Sequence, residues 1–181
     1  MMVSPKEFFQ KDLRYIIRSA VEADGENLSD VRVQIDGETE NMDREKGEAF
    51  IDEVSFKQLI KEDAESPHNL FLVCEVNGRI VGFSRCEGNH LKRLSHKVEF
   101  GVCVLKDFWG YGIGTNLLKE TTKWADTKGI KKIILNVLET NGNAIKLYKK
   151  YGFEIEGILK NDKLLSDGNY YNTVVMGRFN G

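Results

Sequence analysis

Three glycines alternate at Gly110, Gly112 and Gly114 in the stretch KDFWGYGIGTNLL, Lys106 to Leu118, and the chain then reads as a helix. The N-terminus of a helix presents unpaired N–H groups and partial positive charge. It is an anion site wherever the backbone can come close, and glycine removes the Cβ that would stand in the way. Strand, glycine-rich turn and helix therefore point to phosphate. Spacing excludes two familiar phosphate loops. A P-loop needs Lys and then Ser or Thr after its last glycine, whereas Gly114 is followed by Thr115 and Asn116. A dinucleotide fingerprint needs G-x-G-x-x-G, whereas here the third glycine comes one residue early. On spacing alone the turn is either an anion cradle or a plain connector.

A carboxylate precedes the turn. Glu99 sits in the strand-like run HKVEFGVCVL. Alternation places Glu99, Gly101 and Cys103 on one face of that strand and Phe100, Val102 and Val104 on the other. Glu99 is either a proton acceptor or a solvated surface carboxylate.

The elements that must hold these residues follow from periodicity and breakers. DLRYIIRSAV, Asp12 to Val21, predicts the first strand. ADGENLSDVRVQI predicts a short helix or turn with a strand fragment after it, and GETENMDREKG a polar loop. EAFIDEVSFKQLIKED, Glu48 to Asp63, predicts an amphipathic helix with Phe50, Ile51, Val54, Gln58 and Leu59 on one side. NLFLVCEV and RIVGFSRCEG flank Asn77-Gly78, a dipeptide suited to the positive φ values of a type I′ hairpin turn. The helix after the glycines carries Ile113, Leu117, Leu118, Thr121, Trp124 and Ala125 on one stripe and ends at Gly129. IKKIILNVL predicts a strand covered on both faces. NAIKLYKKYG predicts a short helix with Ala144, Ile145, Tyr148 and Tyr151 at helical spacing, and two closing strands surround Ser166-Asp167-Gly168. The sum is a mixed α/β domain, antiparallel in its first half, with a β-α-β unit in its middle.

VEFGVCVLKDFWGYGIGTNLL followed by ETNGNAIKLYKKYGF resembles the acyl-CoA-binding core of the GCN5-related N-acetyltransferases. The first segment resembles that family's Q/R-x-x-G-x-G/A motif. The second resembles its N-x-x-A-x-x-L-Y-x-x-x-G-F motif, with Asn141, Ala144, Leu147, Tyr148, Gly152 and Phe153 at the matching positions. The likeness extends more weakly from Asn69 to the final strand and barely constrains residues 1–65. It implies an α+β fold with a mostly antiparallel sheet whose two central parallel strands splay apart. It implies acetyl-CoA as co-substrate in that splay. Free backbone groups of Val102, Cys103 and Val104 would bond the pantetheine arm, and N–H groups across Trp109, Gly110, Tyr111, Gly112, Ile113, Gly114 and Thr115 would meet the pyrophosphate. Asn141 and Asn143 would hold the pantetheine amide or cap the helix. Tyr148 would be the proton donor to the leaving thiolate, and Glu99, where many members carry a glutamate, the base for the amine. A main-chain N–H near Cys103 would stabilise the oxyanion. Trp109 departs from the family's Gln or Arg. That position contributes mainly backbone, so activity is expected to survive, and the indole is expected to pack at the strand-to-helix corner. SDGNYYNTVVM resembles the closing D-G-x-Y-x-D strand of small-molecule and ribosomal-protein acetyltransferases, with Asn172 in place of the usual Asp.

The expected activity is transfer of acetyl directly to a primary amine of a small molecule or protein; the alternative is a non-catalytic acyl-CoA-binding or sensing module on the same fold. The chain's 181 residues suit one domain, 1–181. Cys74, Cys86 and Cys103 lie in apolar contexts without CxxC spacing and are expected to be reduced, buried thiols. His68, His90 and His96 have no ligand spacing, so no metal is expected. Residues 22–65 hold 15 of the 28 acids and 5 of the 26 bases, whereas residues 106–163 hold 11 bases against 7 acids. The first segment, which in this family contributes to substrate choice, thus points to a cationic acceptor. Lys146, Lys149 and Lys150 would add long-range attraction for nucleotide phosphates. A sequence pI near 6 argues against nucleic acid, and no apolar run approaches a membrane span. MMVSPKEFFQKDLRY lacks the apolar core of a signal peptide, so a cytoplasmic protein is expected. A second copy of the chain is a candidate partner.

Overall fold

Strand follows strand at the N-terminus of the computed structural model, which describes residues 2–181. β1 (Lys6–Gln10) pairs antiparallel with β2 (Leu13–Ser19). The strand expected at Asp12–Val21 is therefore the second. KEFFQ is almost wholly exposed, so it carries no clean alternation. Its turn uses Lys11 and Asp12, both at positive φ (49° and 63°), in place of the usual glycine or asparagine.

The segment Glu22–Glu38 is helical throughout, a 3-10 turn running into α1 (Gly25–Glu38). The expected strand fragment is absent because Leu28, Val31 and Ile35 form a helical stripe, and all three are buried. α2 (Glu53–Glu65) begins five residues later than expected. Asp52 caps it by accepting the Ser55 N–H at 2.8 Å, a local geometry that holds the preceding chain out of the helix. Its core face is Phe56 and Ile60, whereas Phe50 and Val54 are exposed. The expected stripe was rotated by the wrong start.

β3 (Leu70–Val76) and β4 (Arg79–Gly88) form the hairpin around Asn77 (φ 49°) and Gly78 (φ 78°), as the dipeptide requires. β5 (Lys97–Val104) follows, then α3 (Ile113–Lys128), β6 (Lys132–Leu138), α4 (Gly142–Lys150), β7 (Glu154–Leu164) and β8 (Tyr170–Phe179). The six stripe residues of α3 are all buried, and Gly129 ends it in the left-handed region at φ 72°.

One eight-stranded sheet results, in the order β1-β2-β3-β4-β5-β6-β8-β7. Every neighbouring pair is antiparallel except β5 and β6. Phe71, Phe83, Gly101 and Cys103 share the face that receives α2, where Phe56 and Phe71 pack at 6.4 Å between ring centroids. The alternate residues Leu70, Leu72 and Cys74 are buried too, and α3 crosses β3, β4 and β5 on that opposite face.

The feature that makes a site is the β5–β6 junction. The parallel register covers only Lys97↔Lys132, Val98↔Ile133 and Glu99↔Ile134. β5 runs on to Val104 and β6 to Leu138 without pairing, so the sheet splits at Glu99.

Candidate active site

A cavity of about 460 Å³ opens at this split. Glu99 to Cys103 from β5, Asn136 from β6, and Asn141 and Tyr148 from α4 line it, with Phe71, Phe83 and Arg85 from the hairpin. α1, α2 and the loop between them close it with Arg32, Met42, Arg44, Ile51 and Phe56.

Tyr148 is held by aromatic contacts alone. Its ring meets Phe100 edge-on at 6.5 Å and Phe153 at 5.7 Å. No described residue hydrogen-bonds its hydroxyl. Burial pushes that hydroxyl up to about 12, so it stays a proton donor across the neutral range. A buried ring with an unpartnered hydroxyl at a cavity is the arrangement expected of a donor awaiting an acceptor.

Glu99 occupies the last paired position of β5, at the fork itself. Asn136 Nδ2 lies 3.4 Å from its Oε1, and no cation lies within ion-pairing distance of it among the described residues. Glu99, Gly101 and Cys103 share a face, as alternation requires, because they oppose Glu87, Arg85 and Phe83 of β4.

The glycine turn lies outside this cavity lining, at the far end of β5. Gly110 (φ 83°) and Gly112 (φ 76°) are left-handed, and Gly112 is the N-cap of α3. A Cβ on Gly112 would strike the Gln10 side-chain amide, whereas one on Gly114 would meet nothing within 4 Å. Gly112 is thus required by the fold, and Gly114 borders open space. None of the N–H groups from Gly110 to Thr115 finds a backbone acceptor, and the helical ladder begins with Asn116 N to Gly112 O at 2.9 Å. Ile113 is buried, so its side chain belongs to the core and not to the turn. This is a cradle of unused donors at a helix N-terminus, which suits a diphosphate.

Trp109 acquires a specific role. Its ring is half exposed, and its indole N–H donates to the Val104 carbonyl at 2.8 Å, tying the turn to the end of β5. One of the backbone groups expected to be free for pantetheine is therefore occupied. Leu105 N–H donates to the Val81 carbonyl, and antiparallel pairs alternate, so Cys103 is bonded to Phe83 of β4 and only Val102 and the Val104 N–H stay free toward the split. Asn141 caps α4 by accepting the Ala144 N–H at 3.4 Å and also lines the cavity. Asn143, Lys146, Lys149 and Lys150 are exposed and do not line it. Cys103 does, but burial raises its thiol to about 12, which makes it a poor nucleophile. Cys74 and Cys86 are buried as expected.

Several residues that shape the site carry no local signal in the sequence. Tyr15 donates to the Tyr111 carbonyl at 3.0 Å and accepts from Asn116 Nδ2 at 2.7 Å, so β2 buttresses the glycine turn. Arg32 and Arg44 enter the cavity from a segment that reads as acidic. The loop Thr39–Ala49 also docks on the closing hairpin, where Lys163 pairs with Asp43 and Ser166 N donates to Glu40. Asn172 bonds Glu139 through both its backbone and side-chain N–H groups. An Asp there would set two carboxylates together.

The profile of the acetyltransferase (GNAT) family matches residues 37–153, which includes the split, the glycine turn and α4. The chain belongs to the acetyltransferase (GNAT) family. This acetyltransferase is 35% identical over 116 residues to the L-amino acid N-acetyltransferase AaaT of Escherichia coli (strain K12), 64% of this chain and 71% of that one. Its fold matches an acetyltransferase of the GNAT family from Streptococcus pneumoniae with TM-score 0.89 and 26% identity, over 92% of this chain and 99% of that one. The fold also matches yncA from Salmonella typhimurium, solved with its cofactor acetyl-CoA, at TM-score 0.79 and 19% identity, over 90% and 92% of the two chains. Among the described residues no helix is long and apolar enough to cross a membrane.

Proposed function

We propose that this acetyltransferase binds acetyl-CoA along the β5–β6 split and transfers the acetyl group directly to a primary amine in the cavity, acting as a single domain. The unpartnered Tyr148 hydroxyl beside a split sheet is the observation that carries this reading. Bound acetyl-CoA supplies a thioester carbon, at which a C–S bond is exchanged for a C–N bond. The free donors from Gly110 to Thr115 hold the diphosphate, and Val102 and the Val104 N–H offer backbone groups to the pantetheine arm. Glu99 takes one proton from the incoming ammonium and passes it to solvent. Tyr148 gives a proton to the departing sulphur and recovers one from the nitrogen or from water. The net change is acetyl-CoA and an ammonium to an amide, free thiol and one proton. No acyl-cysteine is needed, consistent with the raised Cys103 thiol.

A purely acyl-CoA-binding module would have no use for Glu99 and Tyr148 at one cavity. Of the acids in residues 22–65, Asp24, Asp36 and Asp63 are held by arginines, so less of that negative charge is open to a cationic acceptor than the sequence suggests. Three unpaired cysteines suit a reducing compartment, and we place the protein in the cytoplasm; cell fractionation tests this. The direct test of function is free-thiol release from acetyl-CoA with a panel of primary amines. Amine-dependent release is expected, and tight acetyl-CoA binding with no release from any amine would favour the binding module.

A further inference from the structure

The charges around the cavity pair off almost completely. Arg44 makes two hydrogen bonds to Asp36, at 3.0 and 3.1 Å. Arg85 makes two to Asp63, at 2.6 and 2.9 Å, and a third to Glu87, whose carboxylate is otherwise in solvent. Asp43 is paired with Lys163. Two charged side chains remain without an opposite partner among the described residues, the carboxylate of Glu99 and the guanidinium of Arg32.

Arg32 is the unusual one. It is only 9% exposed, yet no carboxylate lies within 4 Å of it. It makes a single hydrogen bond, from Nη1 to the Ala49 carbonyl at 2.8 Å. A guanidinium has five N–H donors in a planar fork that matches a carboxylate. Burial and the nearby positive charge of Arg44 both weigh against its charged form, and the charge of Asp36, which is held by Arg44, offsets them only in part. A buried cation left in this state is costly unless something anionic completes it. Ala49 itself sits at φ 45°, a strained value for alanine, which marks the loop as a shaped wall.

We propose that the acceptor is a free amino acid whose α-carboxylate is held by Arg32, with Arg44 beside it, while its amine faces Glu99. The two leftover charges complement a zwitterion. Met42, Ile51, Phe56, Leu59, Phe71 and Phe83 supply an apolar wall for the side chain, so leucine- or methionine-like acceptors fit. A peptide N-terminus offers an amide where Arg32 expects a carboxylate, and a polyamine offers a second cation there.

The proposal rests on acetyl transfer at this site, and matched acceptors separate the two. Thiol release is measured with leucine, leucinamide and a leucyl peptide on the wild-type enzyme. Leucine is expected to exceed both in kcat/KM by about 10²-fold, because losing the partner of a buried charge is expensive. Arg32→Gln is expected to raise the KM for leucine by about 10²-fold with a far smaller effect on kcat, to affect leucinamide much less than leucine, and Arg32→Lys to recover part of the loss. A merely structural Arg32 would instead lower turnover of all three acceptors equally, and that result overturns the proposal. So does leucinamide or peptide turnover equal to that of leucine, a comparison that needs no variant to fold and leaves acetyl transfer standing. No release with any amine overturns both.

Discussion

In the proposed reaction Glu99 and Tyr148 divide the proton work by their surroundings. Tyr148 is buried and neutral, whereas Glu99 stands at the fork without a cation to hold it. Glu99→Gln should therefore cost about 10²-fold in kcat/KM near pH 7. The loss should shrink as pH rises past the acceptor amine's own pKa, about 8 for leucinamide and higher for a free amino acid, where the amine deprotonates by itself and no longer needs a base. A pH profile of both enzymes checks this; a loss of the same size at every pH would assign Glu99 a positioning role. That both residues lie near one another was legible in the sequence through motif and spacing, and both line the cavity. The place of Arg32 there was not, because nothing local distinguishes a buried arginine on α1 from a solvated one. Its partner atom, the Ala49 carbonyl, is 17 residues away.

The glycine turn shows what an element demands of its residues. Gly112 is fixed by its left-handed backbone and by Gln10 from β1, whereas Gly114 has open space where a Cβ would go. The two should separate in experiment. Gly112→Ala should destabilise the fold by roughly 1–2 kcal/mol through its backbone alone. Gly114→Ala should leave the melting temperature unchanged or higher, because alanine is the better helix former. It should nevertheless weaken acetyl-CoA binding by about tenfold or more, since the new methyl enters the ligand's space. Thermal melts and acetyl-CoA titration of the two variants read this directly. Equal acetyl-CoA affinity in Gly114→Ala would make that glycine connector only. At this scale the sequence was informative wherever breakers were explicit, as at Asn77-Gly78 and Gly129. It misled where a cap or turn used unmarked residues. Lys11-Asp12 hid β1, and the Asp52 cap moved the start of α2.

The whole molecule is one twisted sheet with a gap at its centre and an open edge at β7. That edge is long, 11 residues, and Ile155, Ile158, Leu159 and Leu164 are all exposed on it. Exposed apolar edges invite pairing; β7 carries Lys160 and Lys163, but Lys163 is taken by Asp43 and the four apolar side chains stay exposed. We propose that a second copy covers this edge. Light scattering after gel filtration should give a dimer's mass, and the pair Ile158→Lys and Leu159→Lys should give a monomer with its melting cooperativity intact. A wild-type monomer at tens of micromolar would contradict this. The sheet class and the β-α-β unit followed from hydrophobic period and breakers. The order that sets β8 between β6 and β7 did not, because register between distant strands leaves no local mark.

In the proposed reaction Tyr148 serves the leaving sulphur and not the binding of acetyl-CoA. Its ring is fixed by Phe100 and Phe153, and its hydroxyl bonds no described residue, so Tyr148→Phe removes one oxygen from an otherwise unchanged wall. The most direct measurement compares acetyl-CoA Kd and amine-dependent kcat in the two proteins. An unchanged Kd and a kcat lower by about 10²-fold or more are expected. An unchanged kcat, or a loss that appears only in Kd, would contradict this role.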